Sequence, residues 1–89
     1  TWELTAAEIV VGRGDDADLA INADDLSRRH VAFRRAEFGQ YRAIDLDSRN
    51  GVYLNGVRIH SALLHDGDNI QLGGVAFLFQ EGRVREAGP

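Results

Sequence analysis

Along this 89-residue chain the apolar residues recur at every second position or in short runs, rather than at the spacing of an amphipathic helix. Residues 9–11 form an apolar run that ends at Gly12-Arg13-Gly14, where two glycines announce a turn. A second run, residues 19–21, is closed by Asn22 and the Asp24-Asp25 pair. Within residues 30–35, Val31 and Phe33 share one face; Gly39 interrupts the pattern and residues 41–46 resume it, so 30–46 reads as a β-hairpin. A second hairpin joins residues 52–54 to 57–59 through Asn55-Gly56, a pair suited to the two positive-φ positions of a type I′ turn. Asp66-Gly67 marks a turn before residues 69–72, and Gly73-Gly74 leads into a last apolar strand over 75–79. Residues 17–25 offer a weak helical alternative with no apolar stripe, and residues 61–65 read as loop or short strand. The polar stretch from Gly82 onward is expected to fray, which puts the folded domain at 1–82 and a polar tail at 83–89. Short strands with turn signals between them predict an all-β fold, a sandwich or barrel.

Composition narrows the function classes. The length fits one domain, and the absence of Cys removes disulfides and thiolate metal sites while fitting a reducing, cytoplasmic setting. Hydrophobic content of 44% and charged content of 27% are ordinary for a globular chain. No apolar run approaches the roughly 20 residues of a membrane helix, and no signal-peptide pattern opens the sequence. The chain starts at Thr1, consistent with a segment of a longer protein. A net charge of −4 disfavours a nucleic-acid partner, which needs many cationic contacts. The charges nevertheless segregate: Asp15, Asp16, Asp18, Asp24 and Asp25 come first, then Arg28, Arg29, Arg34 and Arg35. All 10 cationic residues are Arg and none is Lys. That bias matches a GC-rich, bacterial genome, and a subset of those forks would suit phosphate.

The candidate chemistry lies in the turns, where a rigid sandwich normally displays its binding residues. Gly12-Arg13-Gly14, Ser27-Arg28-Arg29-His30 and Asp47-Ser48-Arg49-Asn50-Gly51 are dense in Arg, Ser and Asn. Such side chains donate hydrogen bonds and carry positive charge without an evident nucleophile and base, which is what a bound phosphate and an extended peptide backbone require.

In this order, Gly12-Arg13, Ser27-Arg28-Arg29-His30 and the run from Asp47 through Asn50-Gly51 to Asn55-Gly56 resemble the signature of forkhead-associated (FHA) domains, over residues 8–80. The resemblance implies a β-sandwich of about eleven short antiparallel and mixed strands whose loops at one end grip a phosphothreonine peptide. It implies that Arg13 binds phosphate, that Ser27 donates a hydroxyl to it with Arg28 in support, and that Asn50 pairs with the peptide backbone. Ser48 and Arg49 share that loop; the family often has Thr where Arg49 stands, so Arg49 is expected to add phosphate charge or to reach an acidic residue of the peptide. Gly12, His30 and Gly51 resemble framework positions that support the site. The family also implies a preference for phosphothreonine over phosphoserine, and no cofactor or metal.

Other assignments of these residues are weaker. Ser27, His30 and Asp45 or Asp47 can be written as a nucleophile, base and orienter, but no nucleophile elbow accompanies them, and the expectation is a binding module and not an enzyme. His30, His60 and His65 lack metal-ligand spacing, and the Asp15-Asp16-Asp18 stretch lacks the rest of a calcium loop. Trp2, Phe33, Phe38, Tyr41, Tyr53, Phe77 and Phe79 are expected in the core. The family usually has another full strand before the stretch that matches Trp2 to Val11, and few residues precede it here, so the first strand is expected to be abbreviated or missing. A monomer is expected, with a weak dimer through the exposed edge as the alternative. The expected function is docking of a Ser/Thr-kinase-phosphorylated partner, or of a phosphorylated tail of the parent protein. A degenerate domain of the same fold making phosphate-independent contacts is the alternative.

Overall fold

The computed structural model describes residues 2–87. Eleven strands follow one another: β1 (Trp2–Glu3), β2 (Glu8–Gly12), β3 (Leu19–Ala20), β4 (Val31–Arg35), β5 (Tyr41–Asp45), β6 (Val52–Leu54), β7 (Val57–Ile59), β8 (Ser61–Leu63), β9 (Asn69–Leu72), β10 (Val75–Gln80) and β11 (Arg83–Glu86). They form a six-stranded sheet in the order β1-β11-β10-β9-β6-β7 and a five-stranded sheet in the order β3-β2-β4-β5-β8. All pairings are antiparallel except β2 with β3, which run parallel. The all-β expectation holds.

Side chains at alternate positions meet between the sheets, as the two-residue period requires. Val11, Val31, Phe33, Tyr41 and Ala43 line one inner face; Val52, Ile70, Leu72, Phe77, Phe79 and Val84 line the other, and all are buried. Burying each large side chain contributes about 1.5–3 kcal/mol. Two aromatic contacts close the layer. Trp2 meets Phe77 edge-to-face at 6.0 Å between centroids, and Tyr41 lies 6.5 Å from Phe79. The Tyr41 hydroxyl, otherwise stranded in that interior, donates to the carbonyl of Leu4.

Five local expectations are corrected or completed. Arg83–Glu86 is a strand and not a frayed tail, so the sandwich runs past residue 82 to Glu86. It was obscured because its turn, Glu81-Gly82, carries an atypical Glu at φ 53° before Gly82 at φ 72°, and because Val84 is its single buried apolar residue. Residues 88–89 of the expected tail lie outside the described residues. The helical alternative over 17–25 gives way to the short strand β3, and residues 61–63 resolve as β8. Phe38 is 96% exposed instead of core: it sits in a single 3-10 turn between β4 and β5 with φ 58°, outside either pleat. The first strand is indeed short, two residues paired to β11.

Candidate functional site

The end of β2, the start of β4, the end of β5 and the start of β6 converge at one end of the sandwich. The registers fix this: Val11 faces Val31, Val31 faces Asp45, and His30 bridges from the β4 side to Gly51 just before β6. The three Arg-, Ser- and Asn-rich turns of the sequence therefore become neighbours.

Gly12 begins the assembly. A Cβ there would lie 2.2 Å from the carbonyl oxygen of Arg28, so only glycine lets the two chain segments touch. Two backbone bonds then zip them together, Arg13 N–H to Ser27 O at 2.9 Å and Gly14 N–H to Arg28 O at 3.0 Å. Arg13 is exposed, and its Nε donates to Leu26 O at 3.1 Å. That bond orients the guanidinium and leaves both terminal amino groups for a ligand.

His30 is fully buried and joins the loops. Its Nδ1 lies 3.1 Å from the amide nitrogen of Ser27 and its Nε2 2.8 Å from Gly51 O. A backbone N–H can only donate and a carbonyl can only accept, so the ring is the Nε2–H tautomer. Both ring nitrogens are thereby committed to backbone. Neither faces the Ser27 hydroxyl, and Asp45 Oδ1 accepts from Ser48 N–H at 3.0 Å, so the written nucleophile–base–orienter set does not assemble.

The Ser27 hydroxyl is instead tied to the third loop. Its Oγ accepts the Arg49 N–H at 3.0 Å, and its own proton stays available to a ligand oxygen. Asn50 is exposed; its Nδ2 donates to Asp25 O at 2.7 Å, which leaves its Oδ1 to accept from a peptide N–H. Arg28 and Arg49 are exposed beside these groups.

Ser48 lies in the loop that presents Asn50. It is 7% exposed, and its Oγ accepts from Gly51 N–H at 3.0 Å. With Gly51 at φ 84°, this closes the turn that presents Asn50.

Two further residues belong to this end and carry no signal in the linear sequence. Asp25 accepts the Asn50 amide through its carbonyl, and its carboxylate accepts from Gly74 N–H at the β9–β10 turn, which braces the β3–β4 loop on two sides. Arg58, in β7, lays its guanidinium against Gly51: a Cβ at Gly51 would meet Arg58 Nε at 2.8 Å.

Several Arg side chains near this end stand outside ion pairs. Among the described residues the Arg–carboxylate pairs are Arg34 with Glu8 and Arg83 with Glu3. Arg13, Arg28, Arg29, Arg49 and Arg58 have no carboxylate within 4.0 Å among those residues, so local positive charge persists on a chain of net charge −4.

Known proteins resemble this chain in sequence and in fold. The chain is 38% identical over 71 residues to the glycogen accumulation regulator GarA of Mycolicibacterium smegmatis, covering 80% of this chain and 44% of that protein. It is 40% identical over 80 residues to the oxoglutarate dehydrogenase inhibitor of Corynebacterium jeikeium, covering 90% of this chain and 52% of the inhibitor. The chain thus spans about half the length of these relatives. Mycobacterium tuberculosis EmbR, solved with a low-affinity phosphopeptide, superposes with a TM-score of 0.81 at 33% identity, over 97% of this chain and 22% of EmbR. The family model for the FHA domain matches residues 9–73, and the chain belongs to the FHA-domain family.

Proposed function

We propose that this domain is a phosphothreonine-dependent peptide reader that docks proteins phosphorylated by Ser/Thr kinases, or a phosphorylated segment of its own parent protein, in the cytoplasm. The observation that carries the reading is the pairing of unneutralised Arg forks with a hydroxyl whose proton is free. Arg13 is oriented through Nε with its terminal amino groups open, and Ser27 Oγ is fixed by Arg49 N–H with its own hydrogen unspent.

A phosphothreonine brings a charge of about −1.5 to −2 and three acceptor oxygens at neutral pH. Arg13 supplies the bidentate fork, Ser27 the hydroxyl donor, and Arg28 and Arg49 the surrounding charge. Asn50, held at the loop tip by Asp25, pairs with the peptide main chain next to the phosphoresidue. No step of this requires a cofactor, a metal or bond chemistry. EmbR's phosphopeptide complex supports the same use of the fold in a relative.

The test is a fluorescence-polarisation titration with one extended peptide in phosphothreonine, phosphoserine and unphosphorylated forms. Saturable binding that needs the phosphate, favours threonine and is lost in Arg13→Ala is the expected result. Equal binding of all three forms would make the domain a phosphate-independent interaction module.

A further inference from the structure

Arg58 reaches the site from an unexpected direction. Asn55 at φ 50° and Gly56 at φ 85° fold β7 back on β6 in a tight turn, setting Tyr53 opposite Arg58 and Val52 opposite Ile59. Gly51 lies two residues before Tyr53, on the same side of that line, and so is the diagonal neighbour of Arg58 across the pair. A diagonal neighbour is within reach of a long side chain. Because Gly51 has no side chain, the guanidinium settles over it, with Nε, Cζ and Nη2 at 2.8, 3.0 and 3.2 Å from where a Cβ would stand.

This brings a fixed positive charge to within one residue of Asn50. Arg58 is exposed, and no carboxylate among the described residues lies within 4.0 Å of it. Its charge is therefore spent neither on the fold nor on a neighbour. It also arrives from β7, whereas the Arg13 and Ser27 groups arrive from the β2–β3 and β3–β4 loops. A peptide whose phosphate rests on Arg13 and Ser27, and whose backbone rests on Asn50, would run on past Gly51 and meet Arg58 with a different side chain.

We propose that Arg58 is a specificity-determining residue of this site that recognises an acidic side chain of the bound peptide, separate from the phosphate. The inference rests on the phosphopeptide reading given above. Gly51 has a second role in it: besides its left-handed backbone, the bare Cα is the shelf on which the guanidinium lies.

The test uses an alanine-flanked phosphothreonine peptide and a series in which a single Asp is moved through the flanking positions. Each is titrated against the wild-type domain, Arg58→Ala and Arg58→Glu. Asp at one position is expected to tighten wild-type binding by about three- to tenfold, the range of an exposed to well-oriented Arg–carboxylate pair. Arg58→Ala should lose that gain, so that it binds the Asp-containing and all-alanine peptides equally, and Arg58→Glu should prefer Lys at the same position. A uniform loss for every peptide in Arg58→Ala would make Arg58 a brace for the Gly51 turn and overturn the proposal. An Asp preference that survives Arg58→Ala, or no Asp preference in the wild type, would also overturn it while leaving the phosphopeptide reading standing. A wild-type domain indifferent to the phosphate would overturn both.

Discussion

His30 holds Gly51 from the opposite sheet: its Nε2–H donates to the Gly51 carbonyl at 2.8 Å while its Nδ1 accepts the Ser27 N–H at 3.1 Å. One buried imidazole thus sets the spacing between the loop that presents Ser27 and the loop that presents Asn50. Replacing it with Ala would leave a cavity and two buried backbone groups without partners. His30→Ala is expected to cost about 3–5 kcal/mol, a large share of the stability of a domain this size. Urea unfolding with an unchanged slope and a lowered midpoint would show this. A cost below about 1 kcal/mol would mean that the loops hold their spacing unaided.

Arg13→Ala separates binding from folding. The side chain is exposed and makes one hydrogen bond to the fold, to Leu26 O, so stability should fall by no more than about 1 kcal/mol. Loss of a charge-assisted phosphate contact should weaken phosphopeptide affinity by about 1.5–3 kcal/mol, or roughly 10- to 100-fold. Arg13→Lys should rescue little, because an ammonium cannot hold Leu26 O and present a planar fork at once. Calorimetry and peptide titration of the same preparations would check both halves.

Two glycines should behave differently when given a methyl group. Gly12→Ala forces a Cβ to 2.2 Å from a backbone oxygen that anchors the loop, so the Arg13–Ser27 zipper must open; a loss above about 3 kcal/mol and of peptide binding is expected. Gly56 has φ 85° but open space around it, so Gly56→Ala should cost about 1 kcal/mol of backbone strain and leave binding intact. Equal effects at the two positions would refute the role given to the Gly12 contact.

Affinity should fall as pH drops through about 6, because the phosphate's second ionisation is lost and the dianion that matches the Arg forks becomes a monoanion. It should also fall with rising salt, since the Arg side chains are exposed and screened. A peptide mimic carrying a sulfonate, which stays ionised across this range, should not show the same pH midpoint. Binding flat in both pH and salt would argue against a phosphate-centred site.

The sheet edges are short. The end strands β1 and β3 have two residues each, and β7 and β8 have three. Such edges offer few free ladder groups to a second chain. Sedimentation at rising concentration should therefore return the 9.8 kDa monomer, and a concentration-dependent dimer would show that an edge pairs after all.

Much of this molecule is local, and local features can be read along a chain. The two-residue apolar period fixed the strands 31–35, 41–45 and 69–72, because a pleat sends alternate side chains to opposite faces whatever the partner. Asn55-Gly56 fixed its hairpin because both positive φ values are intrinsic to that pair. The residue types of Arg13, Ser27, Arg28, Arg49 and Asn50 are legible in the same way, as donors and cations gathered in turns. What the chain could not announce was which of these side chains would be spent on the fold. Ser48 and Ser27 are both loop serines, yet one hydroxyl closes its own turn and the other spans to Arg49 from a distant loop. Phe38 is aromatic like Phe33 but falls in a turn, where no opposing sheet covers it. Arg83–Glu86 has one apolar residue and becomes a strand because β1 and β10 stand on either side to pair with it. Asp25 and Arg58 join the site only through partners far away in sequence, Gly74 and Gly51. Hydrogen bonds and charges act over a few ångströms in space, and only the packing of the two sheets decides which residues come that close.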